Sequence, residues 1–432
     1  MFFLYEVLLY LVFVIGLPFF LIIGLVRGKY VVNFSERMGF YRSPARAHDL
    51  WIHAVSVGEA LAAKTIVEGI LRMRPETSIV FTTTTITGQA QARRLYPNAT
   101  VTYFPFDFGF SVRRFLNHHS PKAFATMETE LWPNVTRISR ERGIRLLLAN
   151  GRISDRSYPR YRFFRPVVAR LLRSYERVLA REQLDRERFL AIGAHDVEVT
   201  GNVKFDYTPN DAPLPEIEAL IAGRKCVVLG STFEGEDEML MPEVERLVRE
   251  RNLFFVIAPR KPERFDAVAA LLSKTGLNAL RRSQWGGGGP AAADSSQDRG
   301  GEAAAAPLRP APDILLLDTI GELARVYRYA TVAFVGGSLV PHGGHNPIEP
   351  AAAGVPVCFG PHMTAFREVA AAFLKNDAAM EVTSPAGFAR FIEEMTSDDS
   401  LRASYGERAK RVVAENRGAS ERTARRIVEL LS

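Results

Sequence analysis

VAFVGGSLVPHGGHNPIEP, residues 332–350, is the segment from which the fold class can be read. A β-branched apolar run, VAFV, stops at two glycines. Residues 336–349 then hold four glycines, two histidines, an asparagine and a glutamate, and a proline-marked helix start follows. Strand, glycine loop and helix start, in that order, make one βα step of a parallel sheet whose loop lets backbone approach a ligand. Two kinds of ligand suit such a loop. A metal needs His342, His345 and Glu349 to converge, yet they are scattered through a glycine loop without the i, i+4 spacing of a helical zinc motif. A phosphorylated nucleotide needs backbone N–H donors and a helix N-terminus, and Glu349 adds an acceptor for both ribose hydroxyls. The nucleotide is the better fit, and no metal ligand is assigned.

Outward from that loop the same grammar repeats. CVVLGS (226–231), FFVIAP (254–259) and DILLLD (313–318) precede it, and VPVCFG (355–360) follows. The first half carries LWIHAVS (50–56), SIVFTTTT (78–85), VTYFPF (101–106), AFATMET (123–129), RLLLANG (145–151), RVLARE (177–182) and VEVTGN (197–202). Apolar, β-branched runs spaced by helix-length segments mark buried parallel strands of βαβ units. The pattern predicts an α/β protein of two Rossmann-like, doubly wound domains facing a cleft, with ligands at the carboxyl ends of the strands. The first domain is placed at 30–206, a proline-marked linker leading into a short helix at 207–223, and the second domain at 224–432. The Gly/Ala/Pro-rich stretch 285–312 has too few apolar residues to offset its ordering entropy, and is expected to be a flexible insertion in the second domain.

Length and composition agree with two domains. A chain of 432 residues exceeds one ordinary core, and 47% hydrophobic content is enough to fill two. Its 55 basic against 48 acidic residues leave a net charge of +7, which favours an anionic partner. No recognition helix or aromatic–basic ladder supports nucleic acid as that partner. Cys226 and Cys358 lie in apolar runs and read as a buried, reduced pair. From Val7 to Val26 there is no charge, and about twenty such residues span a bilayer. Arg27, Lys29 and Arg37 follow, which puts the bulk of the chain on the cytoplasmic side. The leader MFFLYE has one acid and no base, unlike a signal peptide. Residues 1–29 are expected to anchor the chain, and Pro18 leaves an oblique or interfacial placement open beside a full span.

The polar motifs fall where this architecture puts a site. HAVSVGEA (53–60) turns at Gly58 and opens a helix with Glu59 in its first turn, where an acid either complements the helix dipole or does chemistry. METELWPN (127–134) sets Glu128 and Glu130 two apart on an extended segment, hence on one side of it; either one near Glu59 would shift its pKa. GNVKFD (201–206) carries Lys204 just past the last strand of the first domain, beside Asp206. In the second domain, Ser231 and Thr232 of GSTFEGEDE (230–238) cap a helix or touch phosphate. APRKPERF (258–265) puts Arg260 directly after a strand, a good place for a guanidinium on phosphate. DTIGEL (318–323) offers Gly321, which can admit a base or ribose against backbone.

HAVSVGE, METELWPN, NGRIS (150–154), GNVKFD, STFEGE, APRKPERF, DTIGEL, FVGGSLVPHGGHNPIEP and FGPHMTAF occur in an order and spacing that resembles the 3-deoxy-D-manno-octulosonic acid (Kdo) transferases of lipopolysaccharide assembly. The resemblance runs from the hydrophobic segment nearly to the C-terminus. It implies the GT-B glycosyltransferase fold and transfer of Kdo from CMP-Kdo to the lipid A precursor at the cytoplasmic face of the inner membrane, beside phospholipid. It also implies Glu59 as general base, with Glu128 and Lys204 supporting the transition state. The implied CMP contacts are Pro259 and Arg260, then Ile320, Gly321 and Glu322, then Asn346, Pro347, Ile348 and Glu349. Three positions depart from the family pattern: Phe233 and Lys261 stand where STHEGE and APRH have histidine, and Gly151 where NARxS has alanine. The positive charge for phosphate then falls to Arg260 and Lys261, and no metal or other cofactor is expected. Nine arginines between Arg152 and Arg181, against Asp155 and Glu176, suggest a basic face toward anionic lipid. Two rival readings differ in what they require. A nucleotide-sugar epimerase needs no anchor, and a non-catalytic nucleotide-binding membrane protein has no use for Glu59.

Overall fold

Alternate residues of the first strand set the layers of the N-terminal half. Leu50 and Ile52 enter one core with Phe81, Ala123 and Ala125, whereas Trp51 enters the opposite core with Val80 and Phe124. Period-two burial on both faces is what a covered parallel sheet demands. The computed structural model describes residues 2–27, 33–208, 212–285 and 311–432, with the side chains of 17–27 outside the description. The chain divides into one unit of Met1–Asp206 with Asn416–Ser432, and a second of Tyr207–Glu415.

In the first unit the strands are β1 (His48–His53), β2 (Ile79–Thr83), β3 (Thr100–Tyr103), β4 (Pro121–Met127), β5 (Arg145–Gly151), β6 (Arg177–Ala180) and β7 (Val197–Val199). They pair in parallel in the order β3-β2-β1-β4-β5-β6-β7. The second unit has β8 (Cys226–Thr232), β9 (Phe254–Pro259), β10 (Ala279–Arg281), β11 (Ile314–Leu316), β12 (Val332–Val335), β13 (Val357–Phe359) and β14 (Ala379–Glu381). Their order is β10-β11-β9-β8-β12-β13-β14, again parallel. The two outermost strands, β10 and β14, escape the sequence reading because ALR and AME are three-residue edges without an apolar run. Cys226 and Cys358 are free and buried in cores on opposite faces of this sheet.

Two expected boundaries are corrected. Residues 416–432, assigned from sequence to the second domain, belong to the first unit. Asp206 accepts from the N–H groups of Gly418 and Ser420 and so caps the start of the last helix, Ala419–Leu431. Ala419, Ala424, Ile427 and Leu430 of that helix are buried in the core beside the helix Val57–Met73. Gly69 permits the close approach, since a Cβ there would lie 2.9 Å from Ala424 Cβ. The expected linker 207–223 is in part core: Leu214, Ile217, Leu220 and Ile221 pack with Val228 and Tyr327. Pro209 and most of the expected insertion 285–312 lie outside the described residues.

The helix Phe2–Arg27 has two faces over its described side chains. On one, Tyr5 donates to Asp107 Oδ2 (2.8 Å), Glu6 accepts from Gly109 N–H (3.2 Å), and Tyr10 and Phe13 pack on Phe108. On the other, Phe3, Leu4, Val7, Leu8, Leu11, Val12, Val14 and Ile15 are exposed. The second half of the expected anchor lies outside the described side chains. Among the described residues no helix is long and apolar enough to cross a membrane.

Candidate active site

From β1 the first sheet winds outward through β2 and β3, then returns to β4 on the other side of β1. Loops leaving β1 and β4 therefore diverge, and a crevice opens at the carboxyl ends of those two strands. Their register sets His53 beside Thr126, so the motifs carrying Glu59 and Glu128 leave the sheet side by side. The helix begins at Val57 with Ser56 as N-cap, one residue ahead of the turn expected at Gly58. Ser56 Oγ accepts from Glu59 N–H (3.4 Å), while Glu59 accepts from Val55 N–H (2.7 Å) and the Ser56 hydroxyl (3.1 Å). This is a reciprocal cap, the structural duty of an S-x-x-E turn. The group also has a chemical character. Burial pushes its pKa up to about 7, the charge of Glu128 adds to the rise, and the two hydrogen bonds oppose it. A carboxylate that titrates near neutrality suits a general base.

His53, the other titratable group of that turn, is fully buried, and burial pushes it down to about 3. Its Nδ1 lies 3.1 Å from Thr82 O and its ring 3.8 Å from that of Phe104, so it packs as a neutral group.

METE is not the extended segment the sequence suggested. Glu128 has φ +57, a left-handed conformation that ends the period-two alternation, so Glu128 and Glu130 do not lie on one side of an extended segment. Glu128 is ion-paired with Arg181, and Glu130 accepts from the Trp132 indole (3.0 Å). Lys204 lies on the turn Val203–Asp206, which packs against the helix of Glu59 and is tied to β5 by Val203 N–H donating to Asn150 Oδ1 (3.4 Å). At Gly151 a Cβ would meet Leu148 at 2.7 Å and the buried Phe189 ring at 2.9 Å; here Phe189 fills the space an alanine methyl would take.

The second sheet has its own switch point between β8 and β12, whose register pairs Val335 with Gly230. Gly336 must be glycine there, because a Cβ would sit 2.5 Å from Ser231 O. The expected role of the loop's first backbone donors needs correction. Gly337, Ser338 and Leu339 donate their N–H groups to the carboxylate of Glu236 (2.6–2.9 Å), which also accepts from Phe233 N–H (3.0 Å). Glu236 is completely buried, so its charge takes those donors for itself, and they are not free for a phosphate.

Beyond this nest, Phe233 stacks on His342 (4.2 Å between centroids) and His345 (5.4 Å), with Lys261 Nζ 5.3 Å from its ring. Burial and the charge of Arg260 push His345 down to about 4. Arg260 follows Pro259 at the end of β9; its backbone N–H donates to Thr232 O (3.0 Å), while its exposed side chain makes no hydrogen bond or ion pair among the described residues. Asn346 donates to Glu349 (3.2 Å) and accepts from Ile348 N–H (3.1 Å), while Pro347 and Ile348 are buried. Burial raises the pKa of Glu349, against Asn346 and Arg260. The helix that follows, Ile348–Ala352, is only five residues long. Ile320 is 61% exposed and Gly321 has φ +96, but the Glu322 carboxylate is ion-paired with Arg282 (2.8 Å). The structure thus groups Arg260, His345, Asn346 and Glu349, and leaves the Glu322 side chain committed elsewhere.

Three contributors escape the sequence reading: Glu236, Arg181 and the ring of Phe233 as a stacking surface. Glu236 sits in GSTFEGEDE, where the sequence shows only its place in an acidic helix start.

Residues 32–207 match the family model of 3-deoxy-D-manno-octulosonic-acid transferase (kdotransferase). Over 405 residues the chain is 33% identical to the 3-deoxy-D-manno-octulosonic acid transferase of Haemophilus influenzae, covering 91% of this chain and 90% of that protein. Among solved structures, a glycosyltransferase from Rickettsia africae is similar with TM-score 0.55 and 12% identity, over 89% of this chain and 98% of that one. A UDP-GlcNAc 2-epimerase from Neisseria meningitidis is similar with TM-score 0.54 and 11% identity, over 89% and 99%. These two likenesses concern the GT-B fold alone; the sequence identity separates transferase from epimerase. The chain is a glycosyltransferase and belongs to the 3-deoxy-D-manno-octulosonic acid transferase family.

Proposed function

We propose that the protein transfers Kdo from CMP-Kdo to the lipid A precursor in lipopolysaccharide synthesis, with inversion at the anomeric carbon. The observation that carries this reading is Glu59, a partly buried carboxylate at the β1–β4 switch point whose pKa burial pushes up to about 7. In the proposed step an acceptor hydroxyl oxygen bonds to the anomeric carbon as Glu59 takes its proton. The bond from that carbon to the phosphate oxygen breaks, and CMP leaves with the electron pair. Glu128 and Lys204 are assigned to support of the transition state. Arg260 and Lys261, which stand together after β9, are assigned to the phosphate, where fixed cations can offset the charge of the leaving group without a metal. Glu349 and Asn346 are assigned to the ribose, with Ile320 and Gly321 against the base.

We assign membrane contact to the outward face of the N-terminal helix together with Phe163 and Phe164, which are exposed among Arg160, Arg162 and Arg165. The Phe2 ring lies beneath the guanidinium groups of Arg137 and Arg170, so the start of that helix adjoins this basic surface. Apolar residues rimmed by arginine suit an anionic bilayer surface. The deciding experiment is mass-spectrometric product analysis with CMP-Kdo and a lipid A precursor. A Kdo-bearing lipid formed by wild type and absent with Glu59→Gln supports the reading; no product from wild type defeats it.

A further inference from the structure

Among the arginines read from sequence as a basic surface, Arg181 is sealed inside the first unit. It follows β6, its side chain is 1% exposed, and it is ion-paired with a Glu128 carboxyl that is 33% exposed. Arg181 Nε donates to Asn150 O (3.1 Å) and its backbone N–H to Gly151 O (3.1 Å), while Glu128 N–H donates to Ala149 O (2.8 Å). Three consecutive residues at the end of β5 therefore hold both partners of the pair. Glu128 also adopts a left-handed backbone, unfavourable for a glutamate unless its surroundings demand it. Stability alone is a poor reason for the pair, since a buried ion pair often gains little over apolar packing. A charge that must stand at one place is a better one.

We propose that Arg181 is a positioning residue of the transfer reaction: it fixes the Glu128 carboxylate at the β1–β4 switch point beside Glu59. Asn150, which accepts from Val203 N–H, joins the same scaffold to the turn of Lys204. The inference rests on the reading of Glu59 as general base. Around the pair stand the carboxylates of Glu59 and of Glu130, the latter from the loop after β4; the basic residues that follow the adjoining strands in sequence are Arg152 after β5 and Lys204 after β7.

The test is kcat/KM against pH for wild type, Arg181→Gln, Arg181→Lys, Glu128→Gln and the double variant Arg181→Gln/Glu128→Gln, with CMP affinity measured beside it. Without its guanidinium partner the Glu128 carboxylate is free to turn toward Glu59 and make Glu59 harder to ionise, an effect that acts through Glu128, so Arg181→Gln should move the acid limb up by about one pH unit. CMP affinity, a property assigned to the second unit, should not change. Arg181→Lys keeps the charge and should hold the limb within about 0.3 unit, losing kcat instead of raising KM. In the Glu128→Gln background, Arg181→Gln should add no further shift.

An unmoved limb in Arg181→Gln, or the same loss in both backgrounds, overturns the inference. If the glutamine variant does not fold, a lysine variant whose limb moves by about a full unit does the same. Glu59→Gln separates the two levels. Near-normal turnover there defeats the general-base reading itself, whereas an inactive Glu59→Gln with a wild-type Arg181→Gln profile defeats the inference alone.

Discussion

Glu59 serves two ends that pull in opposite directions. As the cap of its helix it stabilises a turn, and as a buried carboxylate beside Glu128 it stores unfavourable charge. The sign of the second effect follows from its raised pKa. The unfolded chain releases this proton from about pH 4.5, the folded chain only near 7, so the folded state is progressively disfavoured as pH rises across that window. Glu59→Gln keeps the acceptor oxygen of the cap and cannot ionise. It should raise Tm at pH 8 by about 2–4 °C and leave it unchanged at pH 4, as read by calorimetry. The same variant should lose turnover by about 10² or more with CMP affinity intact, and wild-type kcat/KM should fall as pH drops below about 7. In the second unit, Glu349→Ala removes the proposed acceptor for the ribose hydroxyls. Charge-assisted bonds of that kind are worth about 1.5–3 kcal/mol, or about one to two decades in CMP affinity by calorimetric titration, with EDTA expected to change little. Strong EDTA sensitivity with an unchanged Glu349→Ala affinity would revive the metal reading of His342 and His345. Glu59 was legible in sequence because S-x-x-E after an apolar run is a local signal. Glu236 was not, because the N–H groups it collects lie about a hundred residues further along the chain. Arg181 was hidden for a related reason: composition cannot tell a buried arginine from the exposed ones around it.

Strands with long apolar runs were read nearly to the residue: RLLLANG is β5 and FFVIAP is β9. The short edges β10 and β14 carry no such run, and the return of the last helix to the first unit leaves no local mark at all. That return depends on small residues. Gly69 and Ala424 let two helices meet where a larger side chain has no space, and Ala419 is fully buried beside them. Ala424→Leu should therefore destabilise the first unit by about 1–3 kcal/mol through overpacking. CMP affinity, assigned to the second unit, should survive at temperatures where both units are folded. Denaturant unfolding followed by the midpoint checks this, and an unchanged midpoint would mean that the last helix packs more loosely than the Gly69–Ala424 approach implies.

For the molecule as a whole, a net charge of +7 says only that anionic partners are favoured, and the structure says which part of that charge is available. Arg177 is paired with Asp196 and Glu198, and Arg181 is buried, so neither can face lipid. Arg156, Arg160, Arg162, Arg165, Arg170 and Arg173 remain exposed, and Phe163 in their midst is 79% exposed. A basic face without apolar residues would attract a bilayer only through screened Coulomb forces, which fade within about 10 Å at 0.1 M salt. Phenylalanines among arginines add a contribution that salt does not screen, about 1.5–3 kcal/mol for each ring that becomes fully buried. The two contributions can be separated by sedimentation with vesicles. Wild type should bind vesicles containing anionic phospholipid more tightly than neutral ones, and retain part of that binding at 1 M salt. Phe163→Asp/Phe164→Asp should weaken partitioning by at least about tenfold, with the largest proportional loss at high salt, where the apolar contribution stands alone. CMP affinity should be unchanged, since both rings belong to the first unit. Equal partitioning of wild type and variant at both salt concentrations would remove this surface from membrane contact and leave the N-terminal helix to account for it.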